Sequence, residues 1–198
     1  DAALYVGGML GYGGKINSLT NNCSVTISST AKLKGLLMGG AAGYASDNST
    51  GASNNAAVTF EGNVDMTNFG DGTNIKGCSF FSIGGVLGRC AGIVKTCTNN
   101  ATGTVSVGGK FTAALDGKYG YTTIGGTAGT LSSGAHSGLS NYATVNISST
   151  IPNASWNEEP FTFAGVVGYV TNNLTDITNY GALNVSSKCT SDEPLRIS

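Results

Sequence analysis

Cysteine and histidine are the residue types of this chain that could form disulfides or bind a metal ion. Their number and spacing argue against a metal site and leave few possible disulfides. The five cysteines are Cys23, Cys78, Cys90, Cys97 and Cys189, and His136 is the only histidine. Because there is no CxxC pair, we expect no zinc site. Cys90 and Cys97 flank one short segment, which favours a local disulfide, with two buried unpaired thiols as the alternative. The odd number of cysteines leaves one thiol free, or paired outside the chain, if the protein is oxidised.

The acidic residues do not form a catalytic pattern, because they recur at no fixed spacing. Glu61, Asp65 and Asp71 share one segment in which several carboxylates could hold a calcium ion, although solvated loop charges are the favoured interpretation. His136 has no serine or cysteine partner in a nucleophile motif, and we expect it in a loop. The sequence therefore predicts a protein without catalytic residues, cofactor or metal, and not an enzyme.

Composition argues against other classes of function. Charged residues make up 11% of the 198 residues, and the net charge is −1, whereas a usual soluble domain has roughly 25% charged residues. The basic residues are scattered, so we expect no nucleic-acid partner, which would require a clustered basic face. No apolar run is long enough to predict a membrane span.

Serine, threonine and asparagine supply the polar surface in place of charges. This composition is typical of exported proteins, and we expect an extracellular or cell-surface location. The sequence opens with Asp1 inside the apolar segment "DAALYVGG". We interpret this opening as that of a processed chain or of a piece of a longer one.

A glycine-rich motif recurs five times and organises residues 1–198 as a single repeat domain. The copies read "VGGMLGY", "MGGAAGY", "IGGVLGR", "IGGTAGT" and "AGVVGYV". An asparagine follows the last glycine of each copy by eleven or twelve residues, at Asn22, Asn55, Asn100, Asn141 and Asn179. An apolar–polar–apolar triplet closes each unit. The repeat cores are repeat 1 (6–27), repeat 2 (38–60), repeat 3 (83–107), repeat 4 (124–147) and repeat 5 (164–185), separated by irregular inserts.

Each core holds three stretches with strand character: one entering the hexad, one before the asparagine, and the closing triplet. Period-two alternation places the two apolar residues of the triplet on one face. A single unit cannot bury that face, whereas stacked units share a continuous core. We therefore predict an all-β fold, a parallel β-helix or β-solenoid of about five glycine-rich repeats, with an antiparallel sandwich as the alternative.

The repeated glycines and asparagines have expected structural roles. Consecutive glycines indicate a corner or a close backbone approach between units. The asparagine suits a left-handed turn, or a side-chain ladder stacked between successive units.

The stretch "IGGVLGRCAGIVKTCTNNATGTVSVGG" (residues 83–109) resembles the GLUG-type repeat of large bacterial and protist surface proteins and adhesins. The other four copies match at the hexad, the asparagine and the triplet. The resemblance implies an extracellular β-solenoid and carries no catalytic residues. This sequence departs from the pattern at Arg89 and Thr130, where the other copies have tyrosine, and in the long insert over residues 61–82.

Two sets of residues could carry modification or binding. The N-x-S/T sequons predict N-glycosylation for a secreted eukaryotic protein, with turn and strand preference for Asn and Thr as the alternative. They lie at Asn22, Asn48, Asn100, Asn146, Asn153, Asn173 and Asn184. Tyr12, Tyr44 and Tyr169 share one repeat position and could form a stripe that stacks on glycan rings. A role as corner residues that cap the core is favoured over the stripe.

These observations favour a non-catalytic structural repeat protein, either a cell-surface or filament subunit or a segment of an adhesin. Both ends of the stack look uncapped, so we expect self-association, or flanking repeats, at the ends. The alternative is a module that binds glycan or host protein through the inserts. A β-helix enzyme that degrades polysaccharide ranks third.

Overall fold

The described part of the chain is built entirely from parallel strands. The structure is a computed structural model and describes residues 4–33, 35–65, 81–112, 122–151 and 161–189. These residues form 24 β-strands, and no helix occurs among them. Every strand pair is parallel. The all-β prediction is confirmed, and the pairing excludes the antiparallel sandwich.

Two five-stranded sheets arise from the glycine hexad and its flanks. Sheet A comprises Leu4–Gly7, Leu36–Gly39, Phe81–Gly84, Thr122–Gly125 and Phe161–Ala164. Sheet B comprises Leu10–Gly13, Ala42–Ala45, Leu87–Cys90, Ala128–Leu131 and Val167–Val170. The expectation of three strands per core was incomplete, because the second half of the hexad is itself a strand, of sheet B, rather than a corner.

The other two sheets lie on either side of the repeated asparagine. Sheet C comprises Ile16–Asn17, Thr20–Asn21, Ser49–Thr50, Ser53–Asn54, Val94–Asn99, His136–Asn141 and Leu174–Asn179. Sheet D comprises Val25–Leu33, Val58–Asp65, Val105–Thr112, Val145–Ile147, Thr150–Ile151, Leu183–Val185 and Lys188–Cys189. Within each sheet, strands of successive repeats are neighbours. Equivalent positions pair, as Met38 pairs with Ile83 and Ile83 with Ile124.

Apolar side chains form two separate cores. The first lies between sheets A and D and includes Phe60, Phe81, Ile83 and Ile124, all fully buried. The second lies between sheets B and C and is built from smaller side chains, including Ala42, Ala45, Cys90 and Leu139. The triplets behave as predicted, since Val145 and Ile147 are buried while Asn146 between them is half-buried.

Sheets A and B lie back to back with their backbones in close approach. A Cβ atom added at Gly88 would lie 2.5 Å from the Met38 nitrogen, and one at Gly129 would lie 2.8 Å from the Ile83 nitrogen. Real Cβ atoms do not approach backbone so closely. The last glycine of the hexad is therefore required by the contact between the two sheets, as the predicted close approach of backbones implies.

Each repeat contains one residue with positive φ on the outer side of sheet C. The row consists of Ser18, Gly51, Thr96, Gly138 and Asp176, with φ between 51° and 68°. Two residues of each unit point outward around it, as Lys95 and Thr96 do between the buried Val94 and Cys97. The local bend lets sheet C keep its apolar residues on the inner face.

Thr96 is the residue least suited to this row, because it is β-branched and its φ is 54°. We expect Thr96→Gly to raise the free energy of unfolding by about 1 kcal/mol, since strain of this kind exceeds the entropic cost of glycine. Chemical denaturation of the two proteins measures the difference. The reciprocal change Gly138→Thr, one repeat further along the same row, is the matched control and should destabilise by a similar amount. A stabilising Gly138→Thr would contradict this account of the row.

Candidate functional site

The two central cysteines are buried and reduced. Cys90 lies in sheet B and Cys97 in sheet C, and both are free thiols. Cys90 Sγ donates to the carbonyl oxygens of Asp47 at 3.2 Å and Gly92 at 3.4 Å, and Cys97 Sγ lies 3.9 Å from Ser49 Oγ. The predicted Cys90–Cys97 disulfide is not supported, because both thiols are free and each makes hydrogen bonds to other neighbours. The alternative of buried unpaired thiols is confirmed for this pair.

Burial makes both thiols poor nucleophiles. It raises the pKa of Cys90 to about 12 and the pKa of Cys97 to about 11. A thiol needs to be deprotonated to attack or to bind a metal, so both are inert at neutral pH. Cys23 is also free, and it is exposed. Cys78 lies outside the described residues.

His136 lies in a strand of sheet C and is fully buried. The expectation of a loop histidine was wrong. His136 Nδ1 accepts a hydrogen bond of 3.1 Å from the Val94 amide, so the neutral ring carries its proton on Nε2. Nε2 is buried, and no described residue forms a hydrogen bond with it. Its burial lowers the pKa of His136 below the usual value of 6.5, because a charged ring is desolvated there.

This histidine should make the protein less stable in mild acid. The unfolded chain takes up a proton near pH 6.5, whereas the folded chain resists it, so stability falls as pH drops below that value. In His136→Leu, the leucine matches Leu174 at the paired position of repeat 5. We expect the free energy of unfolding of the wild type, measured relative to this variant, to fall by up to about 1.4 kcal/mol per pH unit below 6.5. Urea titrations from pH 8 to pH 5 measure it, and a pH-independent difference would contradict it.

The carboxylates proposed for calcium are not brought together by the described structure. Glu61 is exposed on sheet D, and Asp71 lies outside the described residues. Within the part of the chain that the structure describes, no group of three or more His, Cys, Asp or Glu residues could hold a metal ion.

A ladder of asparagine side chains runs through all five repeats, where sheet C turns into sheet D, and it is buried in repeats 1 to 4 and exposed at Asn179 of repeat 5. Its members are Asn21, Asn54, Asn99, Asn141 and Asn179. Each side-chain Nδ2 donates to Oδ1 of the next repeat, at 2.8, 3.1, 3.1 and 3.0 Å. The prediction of a stacked ladder is confirmed, but in repeats 1 to 3 it uses the residue before the predicted asparagine. In each Asn-Asn pair, the alternation of the strand turns the first asparagine inward, so the first asparagine joins the ladder.

Each ladder asparagine also satisfies backbone groups. Asn99 Nδ2 donates to the carbonyl oxygens of Gly103 at 2.8 Å and Gly126 at 2.7 Å. The amides pack directly on the second glycine of the hexad, since a Cβ at Gly85 would overlap Asn99 and the Gly126 carbonyl oxygen. The turn between sheets A and B is thus held against the turn between sheets C and D in every repeat.

The predicted asparagines of repeats 1 to 3 form a second, outer ladder. Asn100 Nδ2 donates to Asn55 Oδ1 at 2.6 Å, and Asn55 Nδ2 donates to Asn22 Oδ1 at 2.7 Å. These bonds run in the opposite direction to those of the buried ladder. The row continues with two tyrosines, Tyr142 and Tyr180, whose rings stack with centroids 4.8 Å apart and an interplanar angle of 14°.

The sequons occupy different environments. Asn22, Asn173 and Asn184 are exposed, whereas Asn48, Asn100 and Asn146 are half-buried. Asn100 Nδ2 donates within the outer ladder, and Asn184 Nδ2 donates to Asn146 Oδ1 of the preceding repeat at 3.0 Å. A glycan on Nδ2 would compete with either bond. Asn153 lies outside the described residues.

The three predicted tyrosines share one position of sheet B but do not form a continuous stripe. Tyr12 pairs with Tyr44, and the row then continues through Arg89 and Thr130 before it reaches Tyr169. Thr130 is buried, and its hydroxyl lies 2.9 Å from Ser82 Oγ and 2.8 Å from Thr123 Oγ1. At Thr130 the row therefore contributes to a buried hydroxyl cluster between sheets A and B.

An aromatic cluster lies at the start of repeat 1 and in repeat 2, and a cation of repeat 3 lies beside it. Tyr5, Tyr12 and Tyr44 have ring centroids 5.3 to 5.8 Å apart. The Arg89 guanidinium lies 5.5 Å from the Tyr44 ring centroid, and its Nε donates to Ser132 Oγ at 3.3 Å. Tyr12 is 56% exposed. Tyr5 was missed from the sequence because the paired positions of the next two repeats hold Leu37 and Ser82. Arg89 was noted only as a departure from the tyrosine position, and its contact with Tyr44 depends on the stacking of repeats 2 and 3.

No protein-family model, curated protein or solved structure matches this chain. The resemblance to GLUG-type repeats therefore stays a prediction from the motif. Among the described residues, no helix has the length and apolar character needed to cross a membrane.

Proposed function

We propose that this chain is a non-catalytic, extracellular structural repeat protein with a β-solenoid fold, acting as a surface or filament subunit or as a segment of an adhesin. The observation that carries the proposal is the strand order. Each repeat contributes to the same four sheets, and the repeats follow one another in sequence order within each sheet. Stacking of this kind lets a chain build length by repetition, with each repeat packed only against its neighbours.

The fate of the reactive groups supports a structural role. The residues of the described chain with the strongest potential for chemistry, Cys90, Cys97 and His136, are buried inside the second core or beside it. The buried asparagines are used to link repeats rather than to face a ligand. The buried asparagines therefore stabilise the contact between repeats, and burial keeps the two thiols and His136 away from a substrate in solution.

Composition and surface chemistry support the extracellular part of the proposal. A row of hydroxyl residues runs across the strands on the outer side of sheet C, where Thr98 pairs with Ser53 of repeat 2 and with Ser140 of repeat 4. Glycans attached at exposed sequons such as Asn173 would add bulk to a surface with few charges. The resemblance of residues 83–109 to GLUG-type repeats points the same way.

The proposal is tested by locating the protein on intact source cells. Antibodies raised against the folded chain should label unpermeabilised cells, and brief external protease treatment should remove the label. An antibody against a cytosolic protein of the same cells is the control. Labelling that needs permeabilised cells would overturn the extracellular assignment, and depolymerisation of a polysaccharide panel by the purified chain would overturn the non-catalytic one.

Glycan binding is the second candidate, favoured by the cluster of Tyr5, Tyr12, Tyr44 and Arg89. Exposed aromatic rings with a neighbouring cation are suited to stacking on sugar rings. Its test is a glycan array with the wild type, Tyr12→Ala and the control Tyr142→Ala, which removes an exposed tyrosine elsewhere. Binding that is lost in Tyr12→Ala alone would support this site. Equal signals from all three proteins would assign any glycan binding to the inserts, which lie mostly outside the described residues.

A further inference from the structure

We propose that Tyr142 and Tyr180 are a site of oxidative coupling, in which a carbon–carbon bond between the two rings joins repeats 4 and 5 covalently. The co-reactant is a one-electron oxidant of the peroxidase type, supplied with hydrogen peroxide. The inference goes beyond the proposed function, because a bond of this kind inside one chain does not depend on where the protein acts.

The backbone holds the two tyrosines at equivalent points of successive repeats. Each tyrosine directly follows a ladder asparagine, and these asparagines, Asn141 and Asn179, are paired positions of sheet C. The Tyr142 amide donates to the Asn99 carbonyl oxygen at 2.8 Å, and the Tyr180 amide donates to the Asn141 carbonyl oxygen at 2.8 Å. The two side chains therefore leave the backbone in the same direction, and equivalent atoms of the rings lie beside each other.

The rings of Tyr142 and Tyr180 are already in contact. Their centroids are 4.8 Å apart and their planes are inclined by 14°, whereas Tyr12 and Tyr44 are 5.3 Å apart and inclined by 52°. The repeat 4 and 5 pair is the closest and most nearly parallel pair of tyrosines in the part of the chain that the structure describes. Held groups of this kind react with each other in preference to groups on separate molecules.

The pair is accessible to an oxidant from the side of the stack. Tyr142 is 44% exposed, although its row has a neighbour on both sides, Asn100 in repeat 3 and Tyr180 in repeat 5. Its exposed part therefore faces sideways, away from the adjacent repeats. A further repeat packed on repeat 5 would extend the row and leave this side of the pair open.

The coupling is a two-electron oxidation of the protein. Each phenol gives one electron and its hydroxyl proton to the oxidant and becomes a phenoxyl radical. The two radicals form one bond between ring carbons next to the hydroxyl-bearing carbons, and the hydrogens on the bonded carbons move to the phenoxyl oxygens. One hydrogen peroxide molecule accepts the two electrons and two protons and becomes two water molecules. The product has lost two hydrogen atoms and has gained no oxygen.

The test is oxidation of the folded chain with a peroxidase and hydrogen peroxide at low protein concentration, followed by proteolysis and mass spectrometry. A glutamate-specific protease cleaves after Glu158, between Tyr142 and Tyr180, so the coupling leaves two peptides joined with two hydrogen atoms missing. We expect this product to be lost in Tyr142→Phe and in Tyr180→Phe, because phenylalanine keeps the ring but forms no phenoxyl radical. Tyr169→Phe is the matched control: Tyr169 shares a peptide with Tyr180 but pairs with Thr130.

Two further measurements link the coupling to the fold. In denaturant, the yield of joined peptides should fall at least about tenfold, because the high effective concentration of the two rings is lost. Since the bond closes the chain between the two tyrosines into a loop, oxidised wild type should unfold at a higher urea concentration than oxidised Tyr142→Phe. Circular dichroism confirms that each variant is folded.

Protein isolated from its source should contain the same joined peptides. Their absence there would overturn the inference. So would joined peptides that persist in Tyr142→Phe, an equal yield from the unfolded chain, or coupling only between separate chains.

Discussion

Gly85→Ala is expected to destabilise the protein by about 4 kcal/mol or to prevent folding. The added Cβ would overlap the Gly126 carbonyl oxygen and the Asn99 side chain, and it would lie 2.5 Å from Asn99 Cγ. Displacing either group would cost much free energy, because the Gly126 carbonyl is backbone and the Asn99 amide is fully buried in a hydrogen-bonded ladder. Overpacking of a close-packed interior that also breaks buried hydrogen bonds belongs to the largest class of single-residue effects.

The matched control for Gly85→Ala is Gly14→Ala. A Cβ at Gly14 would meet nothing within 4 Å, and its φ is not in the left-handed range. We expect its effect to be within about 0.5 kcal/mol. Urea denaturation of the three proteins measures the comparison, together with soluble yield if Gly85→Ala does not fold. A Gly85→Ala variant as stable as Gly14→Ala would show that the two turns are not in contact.

Asn99→Ala should cost about 3 kcal/mol of unfolding free energy. The substitution removes an Nδ2 group whose two hydrogens are shared among the carbonyl oxygens of Gly103 and Gly126 and Oδ1 of Asn141. It also removes the acceptor for Asn54 Nδ2. The carbonyl oxygens left behind are buried away from water, and an unsatisfied buried group costs about 1–3 kcal/mol. Because Asn99 is the central member of the ladder, its loss separates the ladder into two halves.

Asn55→Ala is the comparison for Asn99→Ala, since Asn55 belongs to the outer ladder and carries the same two types of amide bond. Water can replace its partners, so we expect a loss of about 1 kcal/mol or less. Denaturant titrations of both variants at one pH provide the test. Equal effects of the two substitutions would contradict the assignment of the inner ladder as the structural one.

The repeat pattern predicted much of the architecture for a physical reason. Strand alternation and fixed spacing are local properties, and the triplets such as Val145–Ile147 report directly which face is buried. The ladder was predicted as a type of contact, but its members were shifted by one residue in three repeats. The pairs Asn21–Asn22, Asn54–Asn55 and Asn99–Asn100 offer the same chemistry at both positions, and only the strand phase decides which amide turns inward.

Other features could not be predicted because they depend on contacts between distant segments. Sheet B was not predicted, because glycine is unfavourable in a strand interior and the glycines of the hexad were interpreted as a corner or a close backbone approach. These glycines are required by the close contact between sheets A and B. In the strand His136–Asn141, two outward residues around Gly138, which has a positive φ, separate the buried His136 from the buried Leu139. Strict period-two alternation does not predict this pattern, so the burial of His136 could not be predicted from the sequence. The Cys90–Cys97 spacing suggested a disulfide, but both thiols are free and are hydrogen-bonded to segments that are distant in sequence, at Asp47 and Ser49.

The direction of the hydrogen bonds between repeats has a mechanical consequence. Strand pairing and both asparagine ladders join one repeat to the next, so these bonds point along the line on which the repeats follow one another. A pulling force along that line loads all the bonds of a repeat-to-repeat junction at once, instead of opening them in succession. The arrangement is therefore suited to carrying tension, and its weakest junction should set the breaking force.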